Sequence, residues 1–313
     1  MGNTDSTLLY GITTAMVSLF KEDSSIDLES TRKFTEFLIE KGVHCLYPLG
    51  TTGEMYRLTA DERKQIAEAV ISQAKGRVPV YIHVGAMVQD EVLELAKHAA
   101  ASGADGIGAV TPAYFGANPR EIREFYLTLA DSVPSGYPVY LYGIPQLAVN
   151  DLPTSLVEEI ARERENIVGI KYSCADFRRT AEYARVRGGD FSVMHGSDAL
   201  LPAIMSLGCD GTVSGCSSAY PEPYVAMYEA IQANDWDTAR FHQHFADDYA
   251  NVLRNGGNMA YFKAALCYRG IISDYQMRAP QLKLTADEEK AFFADLKDLD
   301  ARYAEEKRKR GIQ

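Results

Sequence analysis

Nowhere does the chain hold an apolar run of the ~18 residues that a membrane span requires. Its first residues, MGNTDSTLLYG, also lack the charged stretch and apolar core of a secretory leader. Positive charge is in short supply: 32 Lys and Arg stand against 43 Asp and Glu, a net charge of -11. That field repels phosphate backbones and anionic lipid, so neither nucleic acid nor a membrane surface is expected as a partner. The KRKR run at 307–310 reads as a solvated helix end. Cysteine is sparse and odd in number: Cys45, Cys174, Cys209, Cys216 and Cys267, with no CxxC pair. This excludes a disulfide framework and a zinc site, and places the protein in the reducing cytoplasm. No His, Asp or Glu cluster has ligand spacing, so no metal is expected. The opening MGNTDS has the form of a myristoylation signal but reads instead as a flexible arm over residues 1–10. The turn after the first β-prone run, SLFKEDSS, has none of the glycines of a dinucleotide-binding GxGxxG loop.

What the 313 residues do contain, 46% of them hydrophobic, is one pattern repeated. Short apolar, β-prone runs are predicted at 12–19, 44–49, 78–84, 106–111, 138–142, 167–172, 191–195 and 211–214. Helical patterns follow at 28–41, from 59, and at 90–102, 119–131, 153–164, 176–187, 198–207 and 221–233. Asp27 is placed to cap the first helix and Thr59 with Glu62 has capping-box spacing. Apolar strands alternating with helices mean a parallel sheet covered by helices, and eight units favour closure into a (β/α)8 barrel over an open doubly wound sheet. The expected organisation is therefore an arm at 1–10, a barrel over 11–233 and a helical extension over 234–313. The extension should break near Gly256 and Gly257 and at 271–280, then end in a charged helix from Thr285.

Chemistry in such a barrel sits at the C-terminal ends of the strands. The sixth run, NIVGIKY, ends there with one lysine, Lys171. Strict alternation puts Ile167, Gly169 and Lys171 on one face, with Gly169 clearing space beside the lysine, and Val168, Ile170 and Tyr172 on the other. An amine held in an apolar enclosure loses hydration, which favours the neutral form able to attack a carbonyl. The alternative is a lysine that leaves the sheet and reaches water. Three further strand ends would share the mouth: the Gly50-Thr51-Thr52-Gly53-Glu54 turn, Thr111 with Tyr114, and Tyr142. Two threonine hydroxyls and free N–H groups make a carboxylate cradle, although the same five residues could simply turn the chain into a helix. Tyr142, on the strand beside Lys171 and ~5 Å from it, can both donate and accept a proton, or can pack as an ordinary barrel aromatic. A carboxylate cradle, a proton-relaying hydroxyl and an amine together suit a 2-oxo acid. His83 and His195, each at a strand end, read as hydrogen-bonded walls.

The order GTTGE, VTPAYF, LYGIP, IVGIK resembles the dihydrodipicolinate synthase/N-acetylneuraminate lyase family of pyruvate-dependent class I aldolases, over essentially the whole chain. The resemblance implies a barrel with a C-terminal helical part, usually a homotetramer, acting on pyruvate and an aldehyde without a separate cofactor. It further implies Lys171 as the Schiff-base lysine, Tyr142 as proton relay, Thr51 and Thr52 as carboxylate ligands, and Tyr114 as the tyrosine that reaches a neighbouring subunit's site. In the synthase branch an arginine lies two residues past the proline of LYGIP; here Gln146 and then Leu147 follow, so no bidentate fork for a second carboxylate is available. Leucine at this place is similar to the sialic acid lyases and the 2-keto-3-deoxy sugar acid aldolases. The sialic acid lyases' Gly-x-Asp-Glu run is Gly196, Ser197, Asp198, Ala199 here: the aspartate is kept for a polyol tail and the glutamate is lost. Ser173, Ser214 and Ser217 could supply further hydroxyl contacts, and Ser173 could equally cap a helix. The expected activity is cleavage or formation of a carbon–carbon bond between pyruvate and an aldehyde, on a 2-keto-3-deoxy sugar acid. N-acetylneuraminate cleavage, dihydrodipicolinate synthesis, sugar-acid dehydration and non-catalytic 2-oxo acid sensing are the alternatives.

Overall fold

The computed structural model describes residues 8–312. Eight strands run in chain order: β1 (Gly11–Ala15), β2 (Cys45–Tyr47), β3 (Tyr81–His83), β4 (Gly106–Val110), β5 (Val139–Gly143), β6 (Ile167–Tyr172), β7 (Ser192–His195) and β8 (Gly211–Ser214). All pairings between them are parallel, in the order β2-β1-β8-β7-β6-β5-β4-β3. The ring closes through a parallel bridge between Leu46 and Val80, with the Leu46 N–H donating to Pro79 O at 2.9 Å. This is the expected (β/α)8 barrel.

Helices α1 (Leu28–Glu40), α2 (Ala60–Ala74), α3 (Gln89–Ala101) and α4 (Pro119–Asp131) follow the first four strands. A short α5 (Pro145–Ala148) precedes α6 (Thr154–Glu163), and α7 (Phe177–Tyr183), α8 (Leu201–Ser206) and α9 (Pro221–Gln232) complete the ring. Asp27 accepts from the Ser30 N–H, and Thr59 and Glu62 form a reciprocal capping box, as their spacing implies. Two helices are shorter than expected. The one anticipated at 176–187 stops at Tyr183, because Arg187 and Gly188 adopt positive φ in a following 3-10 turn. The one anticipated at 198–207 opens with a 3-10 turn, Asp198–Leu200, which swings Asp198 toward the barrel mouth.

Two apolar layers meet at the strands. Ile12, Leu46, Ile82, Ile107, Leu141 and Ile170 pack outward against the helices. Inside the barrel, Tyr47, Tyr81 and Tyr140 fill the space with Met194, Val213 and Leu9. Glycines on neighbouring strands admit these rings: a Cβ on Gly108 would lie 2.1 Å from Tyr47 Oη, and one on Gly169 2.5 Å from Tyr140 Cε1. Gly169 therefore makes room for Tyr140 and for the Ser192 carbonyl, not for the lysine. Strict alternation along β6 also fails at its start. The β5–β6 register shifts between Val139 and Tyr140, so Ile167 joins the outer core with Ile170 and Tyr172 while Val168 packs against the inner cluster. The arm expected over residues 1–10 falls mostly outside the described residues. Leu9, at its end, is buried in the barrel floor, its N–H donating to Tyr140 Oη at 3.1 Å.

Beyond the ring lie α10 (Trp236–Val252), α11 (Met259–Tyr268) and α12 (Ala286–Arg310), with the turns anticipated near 256 and 271–280. They pack on the barrel through a Tyr220–Tyr249 stack with centroids 4.1 Å apart, and on each other through His242 Nδ1 and Tyr303 Oη at 2.8 Å. No helix among the described residues is long and apolar enough to cross a membrane.

Candidate active site

Lys171 and Tyr142 are register partners across β5 and β6. The strands that carry them are otherwise apolar and buried, and near their C-terminal ends Tyr142 and Lys171 point into the mouth of the barrel while Tyr172 turns outward to the helices. Lys171 is 5% exposed, and its Nζ lies 4.2 Å from the centroid of the Tyr142 ring and 5.4 Å from that of Tyr47. It does not reach out to water. Tyr142 is fixed from behind by Tyr126 of α4, whose hydroxyl accepts the Tyr142 N–H at 3.4 Å and donates to Ala109 O at 3.0 Å.

Burial alone raises the Tyr142 hydroxyl above the ordinary phenol value. The Lys171 charge, with hydrogen bonds involving Thr51, Ser173 and Lys171, more than reverses this and holds it below. Thr51 Oγ1 stands 3.4 Å from Tyr142 Oη. A Cβ on Gly196 would collide with Ser173 Oγ, so the bare backbone there is what lets the Ser173 hydroxyl swing to the tyrosine. Ser173 is not a helix cap, since Asp176 accepts the Arg179 N–H at the start of α7. Thr51, Tyr142, Ser173 and Lys171 thus form one cluster. A buried amine and a phenol of lowered proton affinity in contact can exchange a proton without solvent.

The loop at residues 50–54 is shaped by backbone contacts. Ser18 Oγ donates to Gly53 O at 2.7 Å, and a Cβ on Gly53 would lie 2.8 Å from Leu49 N and 3.1 Å from Met16 O. Glu54 N–H bonds back to Thr51 O. Among the described residues no acceptor is paired with the N–H groups of Thr51, Thr52 and Gly53. Those free donors are what a carboxylate cradle requires. Thr52 Oγ1 lies 3.3 Å from the point a Cβ on Gly215, just past β8, would occupy.

On the opposite rim, Asp198 Oδ2 accepts the Cys216 N–H at 3.0 Å while Oδ1 is buried without a hydrogen-bond partner among the described residues. Burial pushes this carboxyl up, against hydrogen bonds from Ser214 and Cys216. Ser214 Oγ accepts the Ser217 N–H at 2.9 Å, and the Ser217 and Thr14 hydroxyls are 2.8 Å apart. Both serines are fully buried, ordering the end of β8.

Three expected members stand apart. Thr111 turns its hydroxyl away from the mouth to Asn150 O at 3.2 Å. Tyr114 is 74% exposed and packs edge-on against Phe115, so within one chain it lies outside the lysine cluster. Leu147 lies on a cavity of about 250 Å³ beside the cluster, lined by Thr51, Arg57, Val110, Ala113 and Ile144 among others. The histidines are walls. His83 Nδ1 faces Leu49 O, its Nε2 accepts the Val110 N–H, and burial holds it well below the ordinary value. Burial likewise lowers His195 to about 4, with Nε2 facing Cys174 O.

Sequence reasoning missed Asn150. Its side chain accepts the Ala117 N–H and donates to Pro112 O and Phe115 O, moulding the loop on which Tyr114 sits at φ 74°. Tyr47, beneath the lysine, was also missed; its place three residues before the turn of the mouth at residues 50–54 was the available signal.

Comparison with known proteins agrees with this geometry. Residues 8–299 match the model of the dihydrodipicolinate synthetase family. A DapA-like lyase of Halobacterium salinarum is 34% identical over 95% of this chain and 96% of its own. A probable 2-dehydro-3-deoxy-D-pentonate aldolase of Escherichia coli is 38% identical over 73% of this chain and 76% of its own. Among solved structures, the prophage protein YagE of E. coli K12 in complex with pyruvate superposes with a TM-score of 0.88 at 30% identity, covering 94% of this chain and 99% of that one. A Ruminococcus gnavus sialic acid aldolase gives 0.89 at 25% identity, covering 97% and 100%. Fold and site together define a barrel enzyme of the aldolase class, a carbon–carbon lyase. The chain belongs to the dihydrodipicolinate synthetase family.

Proposed function

We propose that the protein cleaves or forms the C3–C4 bond of a 2-keto-3-deoxy sugar acid through an imine between Lys171 and the keto carbon. The observation that carries this reading is the register pairing of a buried lysine with a tyrosine whose hydroxyl also meets Thr51. In the cleavage direction the Lys171 amine adds to C2, and the resulting carbinolamine loses water with a proton relayed by Tyr142. The protonated imine draws in the C3–C4 electron pair as Tyr142 takes the proton of the C4 hydroxyl, so the aldehyde departs. The remaining enamine is protonated at C3, and hydrolysis returns pyruvate and free Lys171. The free N–H groups of residues 51–53 and the Thr51 and Thr52 hydroxyls hold the carboxylate. No separate cofactor takes part.

A hydroxylated tail is supported by the unpartnered Asp198 oxygen on the far rim and by the Ser173 hydroxyl beside Tyr142. Leu147 brings no guanidinium fork to the cavity it lines, and the Arg57 guanidinium there is already paired with Glu54, which disfavours dihydrodipicolinate synthesis. Cleavage of N-acetylneuraminate is the second reading, favoured by the likeness to the R. gnavus aldolase. We place the active protein in the cytoplasm as a homotetramer in which Tyr114 completes a neighbour's site. Its exposed ring, with Phe115, Leu147 and Val149 also exposed, supports this.

Borohydride added with pyruvate should leave one reduced pyruvyl group on Lys171, and Lys171→Ala should abolish both label and turnover. A label on any other residue refutes the assignment. Product analysis with 2-keto-3-deoxy-pentonate, 2-keto-3-deoxygluconate and N-acetylneuraminate then fixes the substrate: release of pyruvate with an aldehyde marks an aldolase, and release of neither marks a dehydratase.

A further inference from the structure

The cradle loop ends in a residue whose conformation is held from outside the barrel. Glu54 has φ 58° and ψ 39°, a left-handed conformation that a side-chain-bearing residue adopts only under constraint. Its side chain is fully buried, and Oε1 lies 2.6 Å from Nζ of Lys263, equally buried. Lys263 is the one charged residue in α11, MAYFKAALCY, and its ammonium sits 4.4 Å over the Phe20 ring. Arg57 takes the other Glu54 oxygen at 3.2 Å, and Arg278 closes the same corner by a bidentate pair with Glu62 and a bond to Arg57 O. Phe262, next to Lys263, approaches the same Gly215 position that Thr52 faces.

Two buried charges facing each other are no better for stability than two well-packed apolar groups, so the pair calls for another explanation. Geometry supplies one. The Glu54 N–H bonds Thr51 O and the Glu54 O accepts the Arg57 N–H, so Glu54 fixes the turn that leaves the N–H groups of residues 51–53 free. Charge supplies a second: without Lys263, the Glu54 carboxylate would stand next to a cradle meant for another carboxylate.

We propose that Lys263 and Glu54 are positioning residues through which the C-terminal helical extension sets the shape and charge of the substrate-carboxylate cradle. This rests on the reading that residues 51–53 receive that carboxylate. The extension is then part of the working site, although it contributes no group to the chemistry.

The test uses the full-length protein with Lys263→Met, Lys263→Arg and the double variant Glu54→Gln/Lys263→Met, which buries no unpaired charge and so preserves a folded sample. Two quantities are read: the pyruvate concentration that half-saturates borohydride trapping on Lys171, and amide hydrogen exchange across residues 50–55. In Lys263→Met the half-saturating concentration should rise about tenfold or more with the maximal labelled fraction unchanged, and K263R should return it to within about threefold of wild type. In both Met-containing variants exchange should quicken at 50–55 while β5 and β6 keep wild-type protection. A folded double variant with wild-type exchange in the loop and wild-type half-saturation overturns the proposal. Failure of the wild type to take any label refutes the imine reading instead, and loop exchange in the double variant then decides the clamp by itself.

Discussion

Tyr142 stands under opposing influences, and they make its titration a reporter. Burial raises its hydroxyl, while Lys171 and the hydrogen bonds from Thr51 and Ser173 lower it further than burial lifts it. Ser173→Ala removes one of the lowering contacts, so the hydroxyl should keep its proton to higher pH. A step that needs the protonated tyrosine then survives further into alkali, and the alkaline limb of the kcat/KM profile should move upward. A limb that stays put, or moves down, removes Ser173 from the relay. At this scale the sequence was legible wherever strand pairing decides position: Lys171 and Tyr142 sit on neighbouring strands, and register brings them together. It was not legible for side chains whose direction depends on loops. Thr111 turns to Asn150, and Glu54 needs a left-handed backbone that no local pattern announces. Lys263 did carry a signal, a single cation in an apolar helix, but its partner lies more than two hundred positions earlier.

Among the elements, β6 shows how an irregularity sets function. The register shift at its start changes which residues face inward, yet Gly169 and Lys171 both remain on the inner side. Gly169 is the joint on which this depends: a Cβ there would lie 2.5 Å from both Ser192 O and Tyr140 Cε1. The first of these is backbone and cannot swing aside. Gly169→Ala should therefore cost about 1–3 kcal/mol in urea unfolding and reduce the pyruvate label on Lys171. Unchanged stability would show that β6 can slide, and that register does not hold the lysine. Strand and helix order was readable from periodicity because each element buries one face. Helix ends were readable where a cap is written in the chain, as at Asp27 and Thr59, and failed where glycine and a positive-φ arginine stop α7 early. The shift within β6 leaves no mark in composition, since Ile167 and Val168 are equally apolar and only the partner strand decides between them.

The whole molecule should respond to acid through its histidines. Burial is the first cause that lowers His44, His195 and His242 to about 4 and His83 well below its ordinary value. The unfolded chain binds protons at these sites below ~6.5 whereas the fold does not, so their stabilising contribution is complete above that pH and is lost as pH falls toward 4. Asp198 and Asp210, whose carboxyls burial pushes up, work in the opposite sense and offset part of the loss. The urea midpoint should be level between pH 7 and 8 and decline from about pH 6.5 to 4, and His242→Gln should make that decline shallower. A midpoint independent of pH over the window would contradict the buried neutral histidines. At this scale the barrel itself was the most legible feature, because eight repeats of one pattern admit few arrangements, while the tie between extension and mouth could be seen only in three dimensions. The stack of tyrosines closed from below by Leu9 has a kinetic corollary. A vessel with a sealed foot has one doorway, so reactants must queue: the half anchored deepest arrives first and departs last, and the aldehyde can only come and go above it.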